Sequence, residues 1–372
     1  MALDPSASSG HRLGGRILRS RTVAALASPH GIARYLTQIN PMWAAHEVRA
    51  RITDIHPEVS APGAPRVATV TLQPTSTWSG HRAGQHVTVG IDTGEGRRTT
   101  RVFTVSNTEG KPGEPLTITV RAHDDEHATP YSISKFLTER ATVGTLVHLS
   151  QAEGDFVLPD RVPEHIVLIS GGSGITPVMS MLRSLQRRTH RGKVTFLHWA
   201  PSADRQIFAG ELEEIRHQGH GVDLHILHTA DGAPYLSPAL LSRLVPGYRD
   251  VPTWACGPAS LIEAAQAAYV GTDSLQVEYF KPPRTAGVAG GEMEFARTGK
   301  TVANDGATIL DQAEAAGLTP ESGCRMGICF SCTTNKSSGR VRNVLTGETS
   351  ELSDEQIRIC VSTPEGDCSV DL

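Results

Sequence analysis

Between Glu47 and Pro159 the apolar positions recur about every second residue, in short β-branched runs. VRARITDI, RVATVTL, QHVTVGI, TTRVFTV, LTITVRA and TLVHLS each read as a strand, separated by Gly- and Pro-rich turns such as APGAP, DTGEG and EGKPGEP. Six strands at this spacing predict a closed antiparallel barrel, interrupted by one helical stretch, SISKFLTER. After Arg161 the period changes. HIVLIS, KVTFLHW, VDLHILH, PTWACG and SLQVEYF alternate with the helical stretches TPVMSMLRSLQRR, AGELEEIRHQ, SPALLSRLV and ASLIEAAQAAYV. Strand–helix alternation predicts a parallel sheet with right-handed crossovers. KPPRTAGVAGGE, from Lys281 to Glu292, reads as a linker. Beyond it lie a strand MEFAR, a helix ATILDQAEAAG, a cysteine-rich loop, and short strands around GRVRN and IRICVS.

The pattern therefore divides the chain into residues 1–45, 46–160, 161–280, a linker over 281–292, and 293–372. Residues 1–45 form a helical extension of one or two amphipathic helices broken at Pro29 and Pro41. Two readings of it stay open, a packed arm or a docking surface for a partner or a membrane.

Bulk composition narrows the class. A chain of 372 residues is too long for one small core. With 38% hydrophobic and 20% charged residues it is an ordinary globular protein. A net charge of −4 and 5% aromatics disfavour a nucleic-acid binder. No apolar run approaches the roughly 20 residues of a membrane span. GRILRSRTVAALASP carries a basic stretch and an Ala-x-Ala at Ala25–Ala27. Its apolar run, Thr22–Ala27, is shorter than the roughly 7–15 residues of a signal peptide's apolar region. The expectation is a cytoplasmic protein. The histidines show no metal-ligand spacing.

LISGGSGITPVMSML follows an apolar strand and opens a helix. Gly171, Gly172 and Gly174 permit a tight turn and let backbone N–H groups approach a phosphate, with the helix N-terminus behind them. Thr176 is placed to cap that helix, and Pro177 suits its first turn. The loop departs from G-x-G-x-x-G, and no acidic residue ends the second strand of this unit to hold a ribose. HWAPSADRQIF occupies that place; Ser202 and Arg205 either face a 2′-phosphate, which favours NADPH, or are solvated loop residues. WACGP (Trp254–Pro258) lies at the carboxyl end of the fourth strand, the edge of an open parallel sheet where ligands bind. Cys256 there is otherwise a small buried hydrophobe.

RVFTVSN (Arg101–Asn107), GGSGITP and CGP, in this order and separation, resemble the ferredoxin–NADP⁺ reductase superfamily. Arg101–Thr104 is similar to its R-x-Y-S flavin motif, with Phe103 for Tyr and Thr104 for Ser. The order of units over residues 46–372 resembles the reductase components of phthalate and phenylacetyl-CoA oxygenase systems. The resemblance implies three domains: an antiparallel flavin barrel, an α/β parallel-sheet NAD(P) domain, and a β-grasp (α+β) ferredoxin domain. It implies FAD rather than FMN, with Arg101 on the flavin phosphates, Phe103 stacked on the ring and the Thr104 hydroxyl near N5. Phe103 in place of Tyr loses one hydroxyl. YSISKFL resembles the second phosphate loop, with Ser134 at the family's serine, Tyr131 where a glycine is usual, and Ser132 as a substitute contact. Cys256, Gly257, Pro258 and Glu278 fall beside the nicotinamide, and Phe280 falls where an aromatic covers the flavin.

Five of the six cysteines follow residue 320. Cys324, Cys329 and Cys332 stand at C-x4-C-x2-C, with Cys360 as a remote fourth ligand. That spacing favours a plant-type [2Fe–2S] cluster over structural zinc, which prefers paired short spacings, and over a disulfide framework. Gly323 and Gly327 let the loop curl so that N–H groups point at sulfur. Cys368 is left over as a buried thiol. A two-electron donor and a one-electron cluster need a flavin between them, so the expected activity is NAD(P)H oxidoreduction in an electron-transfer chain. The extension LASPHGIARYLTQINPMW is similar to that of reductases serving membrane di-iron fatty-acyl desaturases, with alkane hydroxylases as related acceptors. A soluble ring-hydroxylating or phenylacetyl-CoA-type oxygenase is the alternative acceptor, and a flavin/iron–sulfur redox sensor the alternative class.

Overall fold

A computed structural model describes residues 42, 47–59, 61–92, 98–123, 132–219, 221–279, 287–322, 325, 327 and 330–372. The N-terminal extension lies outside these apart from Met42. Tyr131, Phe280, Gly323, Cys324 and Cys329 also lie outside them.

Six strands form the first sheet: β1 (Val48–Val59), β2 (Val67–Pro74), β3 (His86–Asp92), β4 (Arg98–Thr104), β5 (Leu116–Arg121) and β6 (Leu146–Leu149). Their order is β4-β3-β6-β1-β2-β5, with every pairing antiparallel. The ring closes just past β4, where Val105 bridges Ile118 and the Ser106 N–H donates to the Thr117 carbonyl at 2.8 Å. Inward positions alternate along the strands, so Ala50 and Ile52, Val70 and Leu72, Val87 and Val89 fill the interior. A short helix, α1 (Ile133–Lys135), runs into a π-turn over Phe136–Arg140, and Ile133 and Leu137 plug the barrel. The six strands are those the alternation predicts; β1 runs four residues further because β2 pairs with it as far as Val59.

The second sheet is parallel, in the order β11-β10-β7-β8-β9. Its strands are β7 (His165–Gly171), β8 (Lys193–Ala200), β9 (Val222–His228), β10 (Thr253–Gly257) and β11 (Leu275–Tyr279). Helices α2 (Ile175–Arg187), α3 (Ala209–Gln218), α4 (Pro238–Leu244) and α5 (Ala259–Ala268) make the connections. Both faces are covered, which explains the near-continuous apolar runs. Ile166, Leu168, Val194 and Phe196 face one core cluster; Val167, Ile169, Leu197 and Trp199 face the other.

The first of these cores crosses into the barrel. Val59, Val67, Ala83, Phe156 and Leu158 pack with Ile166, Leu168, Met181 and Trp254. A polar seam runs beside it: on α2, Ser180 donates to the Asn107 carbonyl at 2.6 Å and Arg183 to the Ser106 carbonyl at 2.5 Å. The Glu109 N–H donates to Ser184 Oγ at 3.0 Å. Arg183 also pairs with Glu211 and lies over the Phe208 ring. The helix that begins at the glycine loop is thus fixed to the chain leaving β4.

The third unit is a mixed sheet, β13-β12-β17-β14-β15 with β16 on β14, comprising β12 (Glu292–Phe295), β13 (Lys300–Ala303), β14 (Thr333–Asn343), β15 (Thr349–Ser350), β16 (Glu355–Arg358) and β17 (Ser362–Val370). The parallel β12–β17 pair, flanked by antiparallel neighbours and packed by α6 (Ile309–Ala315), is the β-grasp arrangement. Residues 287–291, read from composition as linker, hydrogen-bond into this unit through Gly287 to Gly306 and Gly290 to Asn304. Among the described residues no helix is long and apolar enough to cross a membrane.

Candidate functional site

The carboxyl edge of the parallel sheet carries a polar row. Glu278, Cys256, Ser170 and His198 are register neighbours on β11, β10, β7 and β8, so they share one face, the face turned to α2 and the barrel. Ser170 Oγ and His198 Nδ1 are 2.8 Å apart, and both residues are fully buried. Burial, helped by the nearby His228, holds the His198 imidazole down at about 3, so it is neutral at physiological pH. The Cys256 thiol is also fully buried. Burial and the Glu278 carboxylate push it well above the ordinary thiol range, so Cys256 keeps its proton and is no nucleophile. Burial likewise raises Glu278, against an opposing pull from His86.

Thr104 closes β4 and is buried, while Phe103 and Arg101 are half-buried. The register partner of Thr104 is His86. Its Nδ1 stands 3.8 Å from Glu278 Oε1 on β11. The barrel strand end that carries Thr104 therefore meets the sheet edge that carries Glu278 and Cys256.

The glycine loop lies against the same edge. A Cβ on Gly174 would collide with the Cys256 carbonyl, and one on Gly171 would come within 2.9 Å of Pro258 Cδ. Gly172 takes a positive φ of 55°. Thr176 does not cap the helix, contrary to the expectation from sequence. The N-cap lies two residues earlier, at Gly174, with the helix starting at Ile175, and Thr176 Oγ1 donates back to the Ser173 carbonyl at 3.2 Å. Pro177 sits in the first turn, as expected. The loop approaches the carboxyl end of β10 so closely that a side chain at Gly171 or Gly174 would not fit between them.

The α1 loop is internally bonded. Ser134 is fully buried and its hydroxyl accepts the His123 N–H at 3.1 Å, while Ser132 Oγ lies 2.9 Å from it. Ser132 is only half-buried, so of the two it is the hydroxyl nearer the surface. At the end of β8, Ser202 donates its hydroxyl to Asp204 at 2.5 Å, and Arg205 is exposed. The place expected to receive a 2′-phosphate thus also holds a carboxylate.

In the third unit, pairing of Thr333 with Arg358 brings Cys332 and Cys360 to one end of the sheet, where the Ile359 N–H donates to the Cys332 carbonyl at 3.3 Å. Both thiols are buried. In the stretch before Cys332, the described residues Arg325, Gly327 and Phe330 all take positive φ, and a Cβ on Gly327 would come within 2.9 Å of Val361. Arg358 donates to the Gly327 carbonyl and lies over the Phe330 ring at 5.0 Å. Two buried thiols converging at a curled loop suit a thiolate-ligated cluster. Thr100, next to Arg101 on β4, is 3.5 Å from the Ser322 carbonyl at the entrance to that loop. Cys368 is buried beneath the third sheet, away from this end, paired in register with Met293 and Gly339.

His86, Ser170 and His198 were not singled out from sequence. Each is a polar residue at or near the end of a largely apolar strand, and only strand pairing aligns them.

Comparison with known proteins matches the oxidoreductase NAD-binding domain family to residues 168–267 and the 2Fe-2S iron-sulfur cluster binding domain family to residues 294–365. An NADPH oxidoreductase of Mycobacterium tuberculosis (strain ATCC 25618 / H37Rv) is 36% identical over 347 residues, covering 91% of this chain and 88% of its own. The ferredoxin reductase component of 3-ketosteroid-9-alpha-monooxygenase from Mycobacterium tuberculosis (strain CDC 1551 / Oshkosh) is 31% identical, over 68% of this chain and 75% of its own. The solved structure of phthalate dioxygenase reductase superposes with a TM-score of 0.60 at 20% identity, over 88% of this chain and 98% of that one. With barrel, parallel sheet and β-grasp unit in this order, the chain belongs to the ferredoxin–NADP⁺ reductase superfamily, as an NAD(P)H oxidoreductase of the branch that carries a C-terminal plant-type [2Fe–2S] domain.

Proposed function

We propose that the chain is the reductase component of an oxygenase system, with FAD held in the barrel over residues 46–160, NAD(P)H on the sheet over 161–280, and a [2Fe–2S] cluster in residues 293–372. The observation that carries this reading is the position of β4. Thr104 at its end meets the Glu278–Cys256 edge, and Thr100 on the same strand meets the entrance of the cysteine loop.

When bound, FAD takes two electrons together from a nicotinamide and releases them singly to an iron–sulfur cluster. The residues present fit such a group. The Glu278 carboxylate is buried with an oxygen lacking a hydrogen-bond partner, and the glycine loop leaves a cradle that a Cβ would fill. In this reading Arg101 binds the flavin phosphates, Ser132 and Ser134 hold the second phosphate loop, and Phe103 stacks on the ring. Thr104 offers its hydroxyl at the N5 edge. Gly171, Gly172, Gly174, Thr176 and Pro177 cradle the nucleotide phosphates, and Ser202 and Arg205 sit at the adenosine end. Cys256, with Gly257 and Pro258, forms the floor under the nicotinamide, and its neutral thiol excludes water without competing as a nucleophile. Glu278 holds a charge or a proton beside the same ring. Cys324, Cys329, Cys332 and Cys360 ligate the cluster.

For the acceptor we infer a membrane di-iron desaturase or alkane hydroxylase, on the likeness of residues 1–45 to the extension of such reductases, which would place the chain in the cytoplasm. A soluble ring-hydroxylating oxygenase is the second reading, favoured by the dioxygenase and monooxygenase reductases among the relatives. Deletion of residues 1–45 separates them. Lost coupling to a desaturase with unchanged dye reduction supports the first; unchanged coupling contradicts it.

A further inference from the structure

One buried contact spans the barrel and the nucleotide-binding sheet at the site itself, between His86 and Glu278. His86 opens β3, and its backbone is pinned on both sides by hydrogen bonds with Glu153, each 2.9 Å. The Nδ1–Cε1 edge of its ring lies against Gly154, where a Cβ would come within 2.8 Å of Nδ1. A φ of 109° at Gly154 is a second reason for glycine there. The same Nδ1 stands 3.8 Å from Glu278 Oε1 on β11. Its side chain is 10% exposed and that of Glu278 16%.

The pair is incompletely satisfied. At 3.8 Å, Nδ1 and Oε1 do not form a hydrogen bond, and among the described residues neither His86 Nδ1 nor Glu278 Oε2 has another partner. Leaving two buried polar atoms unbonded at a domain junction is costly unless a small movement or a bound group satisfies them. The surrounding titratable groups are few. From the sheet, Glu278 faces the imidazole, with Cys256 as its register neighbour; from the barrel, Thr104 is the register neighbour of His86, and Glu153 and Asp155 beside it are exposed to solvent.

We propose that His86 is a positioning residue: its imidazole pairs with Glu278 across the junction of the barrel and the parallel sheet, fixing that carboxylate beside Thr104 and Cys256. This rests on the reading that Glu278 lies at the nicotinamide. In this role His86 acts through Glu278 rather than on the nucleotide or the flavin itself. The contact also ties the two units together at the point where donor and acceptor must be held within a fraction of an ångström.

The test uses FAD- and cluster-loaded protein as wild type, His86→Phe, His86→Gln, Glu278→Gln and the His86→Phe/Glu278→Gln double variant. Thermal midpoints at neutral and acidic pH give a double-mutant cycle that needs no turnover. Glu278→Gln is expected to lower the midpoint in wild type and not in the His86→Phe background. This coupling should vanish in acid, where the carboxyl takes up a proton. Anaerobic stopped-flow bleaching by NAD(P)H should slow roughly 10- to 100-fold in His86→Phe and less in His86→Gln, with FAD content and the dithionite-reduced cluster spectrum unchanged. Strict additivity in the cycle, or wild-type bleaching in His86→Phe, would overturn the proposal. If Glu278→Gln itself bleaches at the wild-type rate, the reading of the nicotinamide site fails with it; slow bleaching in Glu278→Gln alone defeats only the role of His86.

Discussion

The two redox ends of the molecule are built by opposite means. At the nicotinamide end, Thr104 and His86 come from the barrel, and Cys256 and Glu278 from the parallel sheet. They meet only because a shared apolar core and the α2 seam fix one unit on the other. At the cluster end, Cys332 and Cys360 belong to one unit, brought together by one local strand pairing. Among the described residues the hydrogen bond from Thr100 to Ser322 joins that unit to β4. Hydride transfer demands contact geometry, whereas an electron tolerates a gap, and the density of packing follows that difference.

The sharpest break in the comparison removes one end alone. Cys332→Ser or Cys360→Ser should abolish the reduced-cluster EPR signal. Electron delivery to the partner should fall by more than the roughly 100-fold typical of disturbing an outer-shell group. Flavin bleaching by NAD(P)H should persist, because no cysteine of the cluster contributes to the sheet edge.

A pH scan separates the ends next. His198 and His81 are buried and held down at about 3 and about 4, in each case chiefly by burial. Their unfolded forms take up a proton near 6.5, so the unfolded state binds more protons between that pH and the depressed value. The stability these residues protect is complete above about pH 6.5. It falls as pH drops toward 4, by about 1.4 kcal/mol per pH unit for each group. His198→Asn should flatten this acid limb in urea titrations of the holoprotein. It should leave the EPR spectrum of the reduced cluster at neutral pH unchanged, since His198 belongs to the parallel sheet.

A smaller effect probes the seam. Arg183→Met removes the donor to the Ser106 carbonyl and the partner of Glu211, costing about 1–3 kcal/mol. The expected signature is a lower thermal midpoint together with slower flavin reduction, since α2 carries the glycine loop. The smallest effect lies at the adenosine end. Asp204→Ser frees the Ser202 hydroxyl and removes a negative charge, so the ratio of kcat/KM for NADPH over NADH should rise by less than about tenfold, as befits an exposed pair.

Legibility in the sequence follows the same division. Strand alternation in the barrel, apolar runs in the doubly covered sheet and the C-x4-C-x2-C spacing are local patterns, and they carry the three-unit fold and the iron–sulfur domain. The N-cap of α2 lies two residues before Thr176, at Gly174, a residue with no capping side chain for a sequence pattern to reveal. The row Glu278–Cys256–Ser170–His198 was only half visible. Cys256 and Glu278 came from resemblance, whereas Ser170 and His198 join them through the order of parallel strands, which no local period encodes. His86 reads as one polar residue in an apolar strand. Its meaning appears only when Gly154 and β11 are placed around it.

The central claim is that electrons enter at the nicotinamide edge in pairs and leave at the cysteine loop singly. Anaerobic titration of the holoprotein with NADPH and with NADH, followed together by visible absorbance and EPR, tests it directly. The expected result is flavin bleaching accompanied by the spectrum of a reduced [2Fe–2S] cluster. Bleaching with the cluster left oxidised, or nucleotide that changes neither spectrum in fully loaded protein, would contradict it.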